Sequence, residues 1–315
     1  VADELDLPFL PHVDPTRLMM RERYRLAALG SGISLSMAML ARGDGALAYV
    51  VADPDIDVAA LRARLSSQPD IAARLCVAPP MALRAAMLAR TRRRLLFNAC
   101  YDLFVRLPRF SARLVANTWQ GVCVGVLLVL LPLGMVVAPQ RTLLAINLLA
   151  TLMFFSCIAL RLLALGAARP LRLRPLPPVD PAVLPVYSVL VALYRESEIV
   201  PQLLVALGRL HWPHSKLDIK LVCEADDRET LAALRACALR PCIEIVEVPP
   251  GGPRTKPKAL AYALPLCRGE FVTLYDAEDC PHPLQLVEAW LRFRAEDDRL
   301  ACLQAPLVVT NAQAG

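Results

Sequence analysis

The spacing of apolar residues changes along the chain, and the pattern is clearest between residues 183 and 315. There, apolar runs of strand length alternate with segments whose apolar residues recur at helical spacing. The predicted strands are 186–193, 217–223, 243–248, 270–276 and 300–309, and the predicted helices are 197–210, 228–239, 256–267 and 283–295. This alternation favours right-handed crossovers, and therefore a largely parallel sheet with helices on both faces.

Residues 90–182 have the pattern of a membrane unit. The segments 117–138 and 142–160 carry no charge, and each is close to the roughly 20 apolar residues that cross a bilayer. We expect a helical hairpin in which Pro132 is tolerated. Arginines are frequent before and after the two spans, whereas the turn between them holds only Arg141. Both flanks are therefore predicted to be cytoplasmic.

Residues 1–89 are predicted to form a small α/β unit. A strand is expected within 45–54 and a helix at 56–67, followed by a longer, basic helix at 81–107 that leads to the first span. The proline-rich linker 169–181 separates the spans from the last region. The predicted domains are therefore 1–89, 90–182 and 183–315.

Composition supports a membrane-associated protein in a reducing compartment. Of the 315 residues, 56% are hydrophobic and only 20% are charged, with a net charge of +6. None of the ten cysteines stands in a CxxC pair or in a Cys/His cluster with metal-ligand spacing. The basic run before the first span could be a nucleic-acid patch, but its position beside a span favours contact with anionic lipid. We expect a lipid bilayer as a partner and no nucleic acid.

Polar residues follow the predicted parallel strands where ligands bind in sheets of this kind. They are Tyr194 and Glu196 after the first strand, Glu224 and Asp226 after the second, Lys256 after the third, and Asp276 and Glu278 after the fourth. Carboxylates bind hard divalent cations, and lysine neutralises phosphate, so the set suits a metal-bound diphosphate. Asp276 is expected to be partly buried. The alternative is that these acids are helix caps or solvated loop residues.

Four segments together carry a resemblance to a known family. "VLVALYRESEIV", "LVCEADDRET", "TKPKALAYAL" and "YDAEDCPHP" resemble, in this order, motifs of the family two glycosyltransferases, the class that includes cellulose and hyaluronan synthases. The last segment resembles the family's DxD motif, with Glu278 in place of the second Asp. The resemblance covers residues 186–311 and implies the GT-A fold, an α/β fold with a Rossmann-like mixed sheet.

The resemblance implies a role for each of these residues. Tyr194 and Glu196 would border the nucleotide, Glu224 or Asp226 would contact the base, Lys256 would face the donor phosphate, Asp276 would contact the ribose or the metal, and Glu278 would bind the metal. The cofactor would be Mg²⁺ or Mn²⁺. The donor would be a nucleotide sugar, with a UDP-sugar expected, and transfer to a glycan acceptor would invert the anomeric centre.

Two motifs of the family are not found. A catalytic base in a "TED"-like segment, and a later "QxxRW" segment, are expected beyond Gly315, so we interpret the chain as a fragment and assign no catalytic residue. Two hypotheses follow. One is a multi-pass glycosyltransferase of the bacterial inner membrane that builds an exported polysaccharide, with its N-terminal and transferase domains cytoplasmic. The other is a non-catalytic membrane regulator or scaffold with a degenerate sugar-nucleotide domain.

The N-terminal region resembles part of another domain. Residues 2–15 and 24–65 are similar to the later part of the N-terminal domain of type II secretion ATPases, which in some proteins binds cyclic di-GMP. The helix that carries the ligand motif of that domain would precede Val1. Both a cyclic di-GMP site and a structural or protein-contact role therefore stay open for this region.

Overall fold

The computed structural model describes residues 1–19, 37–41, 47–52, 56–113, 115, 117–167, 176–297 and 299–306. Two compact units are present, Val1–Asp102 with Pro178–Gly315, and Leu103–Pro177. Arg169, Arg172 and Arg174, the end of the last predicted strand at 307–309, and much of the stretch 24–65 that resembles the secretion ATPases lie outside the described residues.

The N-terminal part of the first unit contains a small sheet. Helix α1 (Ala2–Leu5) precedes strands β1 (Leu18–Met19), β2 (Met37–Ala41) and β3 (Leu47–Val51), and helices α2 (Val58–Ser67) and α3 (Pro69–Ala72) precede strand β4 (Leu75–Val77). The strand order is β1-β2-β3-β4, with the β3–β4 pair parallel and the others antiparallel. Asp57 caps α2 through its carboxylate, which accepts from the backbone N–H of Ala60 at 3.0 Å. The predicted strand at 45–54 and helix at 56–67 are confirmed.

The long helix α4 (Pro80–Arg106) corresponds to the predicted basic helix. Its buried residues recur at helical spacing and form one stripe, which consists of Leu83, Ala86, Met87, Thr91 and Leu95. The arginines at 90, 92, 93 and 94 are exposed. The pattern therefore places the apolar stripe against the protein and the basic residues in solvent.

The second sheet of this unit is parallel at every pairing that the described residues show. Its strands are β5 (Tyr187–Leu193), β6 (Leu217–Glu224), β7 (Ile243–Val248) and β8 (Phe271–Tyr275), in the order β7-β6-β5-β8. Helices α7 (Val200–Gly208), α8 (Arg228–Ala236), α9 (Lys256–Ala263) and α10 (Gln285–Ala295) connect or follow the strands. The predicted α/β sheet is confirmed. The predicted last strand is wrong over 300–306, because these residues have no strand pairing.

Strand β6 is buried along its whole length, and its two faces belong to different cores. Alternate residues of a strand point to opposite faces. Leu217, Ile219 and Leu221 pack in one cluster with residues of α7, α8 and α10. Val222, on the other face, belongs to a cluster that includes the stripe on α4, residues of α9 and residues of the N-terminal sheet. The N-terminal sheet, α4 and the parallel sheet therefore share one hydrophobic core.

A buried polar network crosses this shared core, and sequence reasoning missed it. Lys220 Nζ lies 2.8 Å from Oδ1 of Asp218 and also pairs with Glu244. Arg84 of α4 donates to Oε2 of the same Glu244 at 3.0 Å, while Arg268 donates to both carboxylate oxygens of Asp218. Burial opposes ionisation of Asp218, yet Lys220 and these donors keep its pKa below the usual range. The network joins α4 to strands β6 and β7.

The second unit contains two long apolar helices, α5 (Thr118–Val137) and α6 (Pro139–Ala167), separated by Ala138. Asn117 and Gln120 form a capping box at the start of α5, with hydrogen bonds of 2.8 and 2.9 Å, and α5 continues through Pro132. Both helices are long and apolar enough to cross a membrane, and neither buries a residue within the unit. Their composition is therefore compatible with the expected hairpin.

Candidate functional site

The carboxyl ends of the parallel strands lie at one edge of the sheet. In the register, Leu193 at the end of β5 is paired with Cys223, and Glu224 at the end of β6 is paired with Val248 at the end of β7. Tyr275, the last residue of β8, is paired with Val191. The residues that follow these strands therefore begin at the same edge, as the sequence pattern predicted.

Lys256 and Asp276 form an ion pair at this edge. Their side chains are 43% and 53% exposed, so the expectation that Asp276 is partly buried is wrong. The physical reason is that β8 is the last strand in the order, and two of its side chains, Val272 and Leu274, are also exposed. An exposed ion pair of this kind contributes only about 0–1 kcal/mol to the stability of the protein. A ligand can therefore replace either partner at low cost.

Glu196 lies in the electrostatic field of the same group. Burial raises the pKa of its carboxyl group, repulsion from Glu278 and Asp227 adds to the increase, and attraction to Lys256 opposes it. Its Oε2 is buried and has no hydrogen-bond partner among the described residues. Glu196, Lys256 and Glu278 are therefore close enough to influence one another, and Glu196 has an acceptor atom available for a ligand.

Asp227 holds the loop that carries Glu196. Its Oδ2 accepts from the backbone N–H of Arg195 at 2.6 Å, and its Oδ1 caps α8 by accepting from the N–H of Thr230 at 3.3 Å. Arg195 has a φ of 58°, in the left-handed region, and this hydrogen bond helps to hold it there. Burial opposes ionisation of Asp227, but these donors lower its pKa. Asp227 is thus a helix-capping acid. This is one of the roles that the alternative hypothesis assigned to acids that follow the strands.

Tyr194 presents an accessible aromatic face beside this loop. Its side chain is 39% exposed, and the guanidinium group of Arg195 lies 5.3 Å from the ring centroid. An exposed ring of this kind can stack on a nucleobase. The position of Tyr194 at the end of β5 therefore suits contact with a nucleotide.

Glu224 and Lys258 form a buried ion pair under the edge. Lys258 Nζ lies 2.6 Å from Oε1 of Glu224, with side-chain exposures of 2% and 6%. In the part of the chain that the structure describes, Oε2 of Glu224 has no hydrogen-bond partner. This pairing was not anticipated from the sequence. Asp226, the other predicted base contact, forms a more exposed pair with Arg254.

Asp279 is fully explained by local structure. Its Oδ2 accepts from the backbone N–H of Asp276 at 2.8 Å, and its own N–H donates to the carbonyl oxygen of Asp276 at 3.1 Å. These bonds close the turn that presents Asp276 and Glu278.

The carboxylates at this edge suit a cation that shares its coordination with a ligand. Within the described ranges, no group of three or more His, Cys, Asp or Glu side chains could hold a metal ion. Asp276 and Glu278 are both exposed. Mg²⁺ is commonly bound by one or two carboxylates together with substrate phosphates and water. The residues therefore fit a metal that arrives with a diphosphate, rather than a permanent metal centre.

A cleft of about 350 Å³ lies elsewhere in the unit, lined by His214, Ser215, Arg240, Pro241 and Cys242. These residues precede β6 and β7, so the cleft is at the amino ends of the strands. Arg240 and His214 interact with each other there, at 2.9 Å. The acids and lysines described above are at the opposite edge.

Comparisons with known proteins find a family likeness in the C-terminal region. Residues 185–314 match the family model described as "Glycosyltransferase like family 2". No match was found among curated proteins. Among solved structures, the mannosyltransferase PcManGT from Pyrobaculum calidifontis, in complex with GDP-Man and Mn²⁺, is 27% identical, with a TM-score of 0.32 over 44% of this chain and 38% of that one.

A second solved structure shows a similar extent of likeness. Residues 1–349 of TarS from S. aureus, in complex with UDP-GlcNAc, are 23% identical, with a TM-score of 0.30 over 35% of this chain and 31% of that one. The matched part thus spans less than two fifths of either solved chain. The sequence match to the family model covers every residue of the candidate site. The C-terminal region of the chain, residues 185–314, is therefore similar to the family two glycosyltransferases.

Proposed function

We propose that the protein is a membrane-anchored glycosyltransferase that uses a metal-bound nucleotide sugar as donor and inverts the anomeric centre. The observation that carries the proposal is the grouping of Glu196, Lys256, Asp276 and Glu278 beyond the ends of β5 and β8, within the region that matches the glycosyltransferase family model. In parallel α/β sheets, ligands bind at this edge, beyond the carboxyl ends of the strands.

The diphosphate of the donor would be bound by Lys256. In the described structure its ammonium group pairs with Asp276. Both groups are about half exposed, so a phosphate oxygen can replace the carboxylate as the partner of Lys256, while Asp276 turns to the cation. Mg²⁺ or Mn²⁺, held by Asp276 and Glu278, would neutralise the charge that grows on the departing nucleoside diphosphate.

The nucleoside would lie between Tyr194 and the end of β6. The exposed ring of Tyr194 offers a stacking surface, and the unpartnered Oε2 of Glu224 can accept a hydrogen bond from an N–H of the base. Lys258 pairs with the other carboxylate oxygen of Glu224, and this pairing offsets the cost of burying the charge. Glu196 would border the ribose or phosphate with its unpartnered Oε2.

The anchor would be the α5–α6 pair. Both helices are uncharged over about the thickness of a bilayer, and neither has a buried residue in the unit that they form. We place the protein in the bacterial inner membrane, with the N-terminal region and the transferase region in the cytoplasm and a glycan as the acceptor. A cytoplasmic site is required for a nucleotide sugar made in the cell.

Calorimetry with the purified protein tests the proposal. UDP and GDP are titrated in Mn²⁺ and again in chelator. We expect one of them to bind in Mn²⁺ and its affinity to fall at least tenfold, about 1.4 kcal/mol, in chelator or in Asp276→Ala. Lys256→Met should weaken the binding of the nucleoside diphosphate to a similar extent but leave the affinity for the nucleoside unchanged. Asp297→Ala, which removes an exposed acid after α10, is the matched control.

The outcomes separate the two hypotheses. Equal affinity in chelator, or in Asp276→Ala, would exclude the metal-dependent site. Metal-dependent binding without release of nucleoside diphosphate from any nucleotide sugar would favour the non-catalytic regulator or scaffold.

A further inference from the structure

The loop between β7 and α9 carries Arg254 and ends at Lys256, and it rests on helix α4. A Cβ atom added to Gly252 would lie 2.6 Å from Sγ of Cys100, and one added to Gly251 would lie 3.0 Å from Cδ2 of Leu96. Real Cβ atoms essentially never approach another heavy atom within 3.0 Å, so the backbone of this loop touches α4 as closely as a glycine permits.

The other side of the same turn is held by α9. Lys258 donates from Nζ to the carbonyl oxygen of Gly251 at 3.2 Å, while it also pairs with Glu224. The turn at Gly251 and Gly252 is therefore fixed between α4 and the buried ion pair. Gly252 has a φ of 67°, a left-handed conformation that a residue with a side chain rarely adopts.

Helix α4 is itself fixed to the parallel sheet. Its buried stripe packs in the same core as Val222 and Val246, and Arg84 donates to Glu244 of β7. Leu96 packs at the border of this core, one turn before Cys100. The surface formed by Leu96 and Cys100 is thus a rigid support, which we name the loop seat.

We propose that the loop seat positions the donor: Leu96 and Cys100 of α4 set the place of the Gly251–Gly252 turn, and through it the reach of Arg254 and Lys256 toward a nucleoside diphosphate. This inference rests on the proposed function. Leu96, Cys100, Gly251 and Gly252 are positioning residues, since they act through the loop and do not touch the ligand.

The test compares Gly252→Ala with Gly252→Ala/Cys100→Ala. The single variant should bind UDP or GDP in Mn²⁺ about 5- to 20-fold more weakly than wild type, because the new methyl group pushes the loop off the seat. The double variant also removes Sγ of Cys100, the atom that lies 2.6 Å from the added Cβ, and should recover part of the lost affinity. The recovery should be partial because the left-handed φ of residue 252 still disfavours a side chain. Cys100→Ala alone withdraws Sγ from the turn without pushing it away, so it should weaken binding less than Gly252→Ala does. Gly125→Ala, where an added Cβ meets nothing within 4 Å, is the matched control.

Two further measurements distinguish a displaced loop from a misfolded variant. Cys100→Leu places a larger side chain in the loop seat and leaves the sequence of the loop unchanged. It should also weaken the binding of UDP or GDP, while the midpoint of thermal unfolding should stay near that of wild type. Alkylation of Cys100, followed by peptide mass spectrometry, should be several-fold faster in Gly252→Ala, whereas Cys237, which is also half-buried, should react at an unchanged rate.

Three outcomes would overturn the inference. If wild type binds a diphosphate and Gly252→Ala binds it equally well, the positioning role is wrong while the proposed function survives. If the double variant binds no better than Gly252→Ala, the contact with Cys100 is not the cause. If wild type binds neither diphosphate in Mn²⁺, the proposed function fails, and the positioning role fails with it.

Discussion

Lys258 and Glu224 are joined by a 2.6 Å contact in the interior, although Lys256, two residues earlier, forms its ion pair in solvent. The two lysines stand in the first turn of the same helix, α9. Residues two apart in a helix point in nearly opposite directions, so one faces the sheet and the other faces the ligand edge. One lysine therefore stabilises the fold, and the other is available for chemistry.

The first prediction separates these two lysines. Lys258→Met leaves a carboxylate buried without its partner, and we expect the free energy of unfolding to fall by about 3–5 kcal/mol. Lys256→Met removes only an exposed pair and should change it by less than about 1 kcal/mol. Denaturant unfolding monitored by fluorescence measures both values. Replacing the pair together, in Glu224→Leu/Lys258→Met, should recover most of the loss, and failure to recover would show that Lys258 acts in some other way.

The second prediction concerns the pH dependence of Glu196. Burial and repulsion from Glu278 raise its pKa above that of an unfolded glutamate, so the folded state binds the proton more strongly. The corresponding stability is present at low pH and is lost as the pH rises through the folded pKa. Glu196→Gln should therefore raise the midpoint of thermal unfolding at neutral pH, by an amount that shrinks toward about pH 4.5.

The control for this experiment is Glu288→Gln, which changes an exposed glutamate on α10. Its effect on the midpoint of thermal unfolding should be small, because an exposed surface substitution of this kind changes stability by only about 0.5 kcal/mol or less. A Glu196→Gln effect that does not vary with pH would contradict the raised pKa.

The third prediction tests the polar network between α4 and the parallel sheet. Arg84→Met removes a charged hydrogen bond to Glu244 at 3.0 Å, and we expect a loss of about 1.5–3 kcal/mol in the free energy of unfolding. In a double-mutant cycle with Glu244→Gln the two losses should not add, because the residues share one contact. Arg93→Met changes an exposed arginine of the same helix and is expected to have little effect. Additive losses would argue against the pairing.

The fourth prediction concerns the apolar helices. Leu128→Cys in the middle of α5 and Leu149→Cys in α6 should react at least tenfold more slowly than Cys280 with a water-soluble maleimide in native membranes, because thiolate formation is suppressed in hydrocarbon. Peptide mass spectrometry distinguishes the sites. After solubilisation in a denaturing detergent the rates should converge. Equal rates before solubilisation would contradict a membrane location for these helices.

Apolar periodicity predicted the parallel sheet well, since β7 occupies the same six residues in the sequence pattern and in the structure. Burial of charged residues was harder to predict. Asp218 and Lys220 interrupt an apolar strand and were read as part of it, because a local pattern does not show that the two charges find each other and Glu244 across neighbouring strands. Asp276 was expected to be partly buried, but its exposure depends on the place of β8 in the strand order, which periodicity does not determine.

The loop seat was beyond sequence reasoning for a similar reason. No role was assigned to Gly251 and Gly252 from the sequence alone. Their contacts with Leu96 and Cys100 join positions about 150 residues apart along the chain. A pair of glycines in a loop predicts a turn, and only the packing shows which surface the turn rests against.

The double burial of β6 affects where the chain can be shortened. The match to the family model begins at residue 185, but the face of this strand that carries Val222 shares its core with α4, which ends about 80 residues before that point, as well as with α9. A protein trimmed to the matched region would lose the α4 side of that core, and Glu244 would lack its contact to Arg84. We expect such a piece to aggregate, and a version that starts upstream of α4 to stay monodisperse.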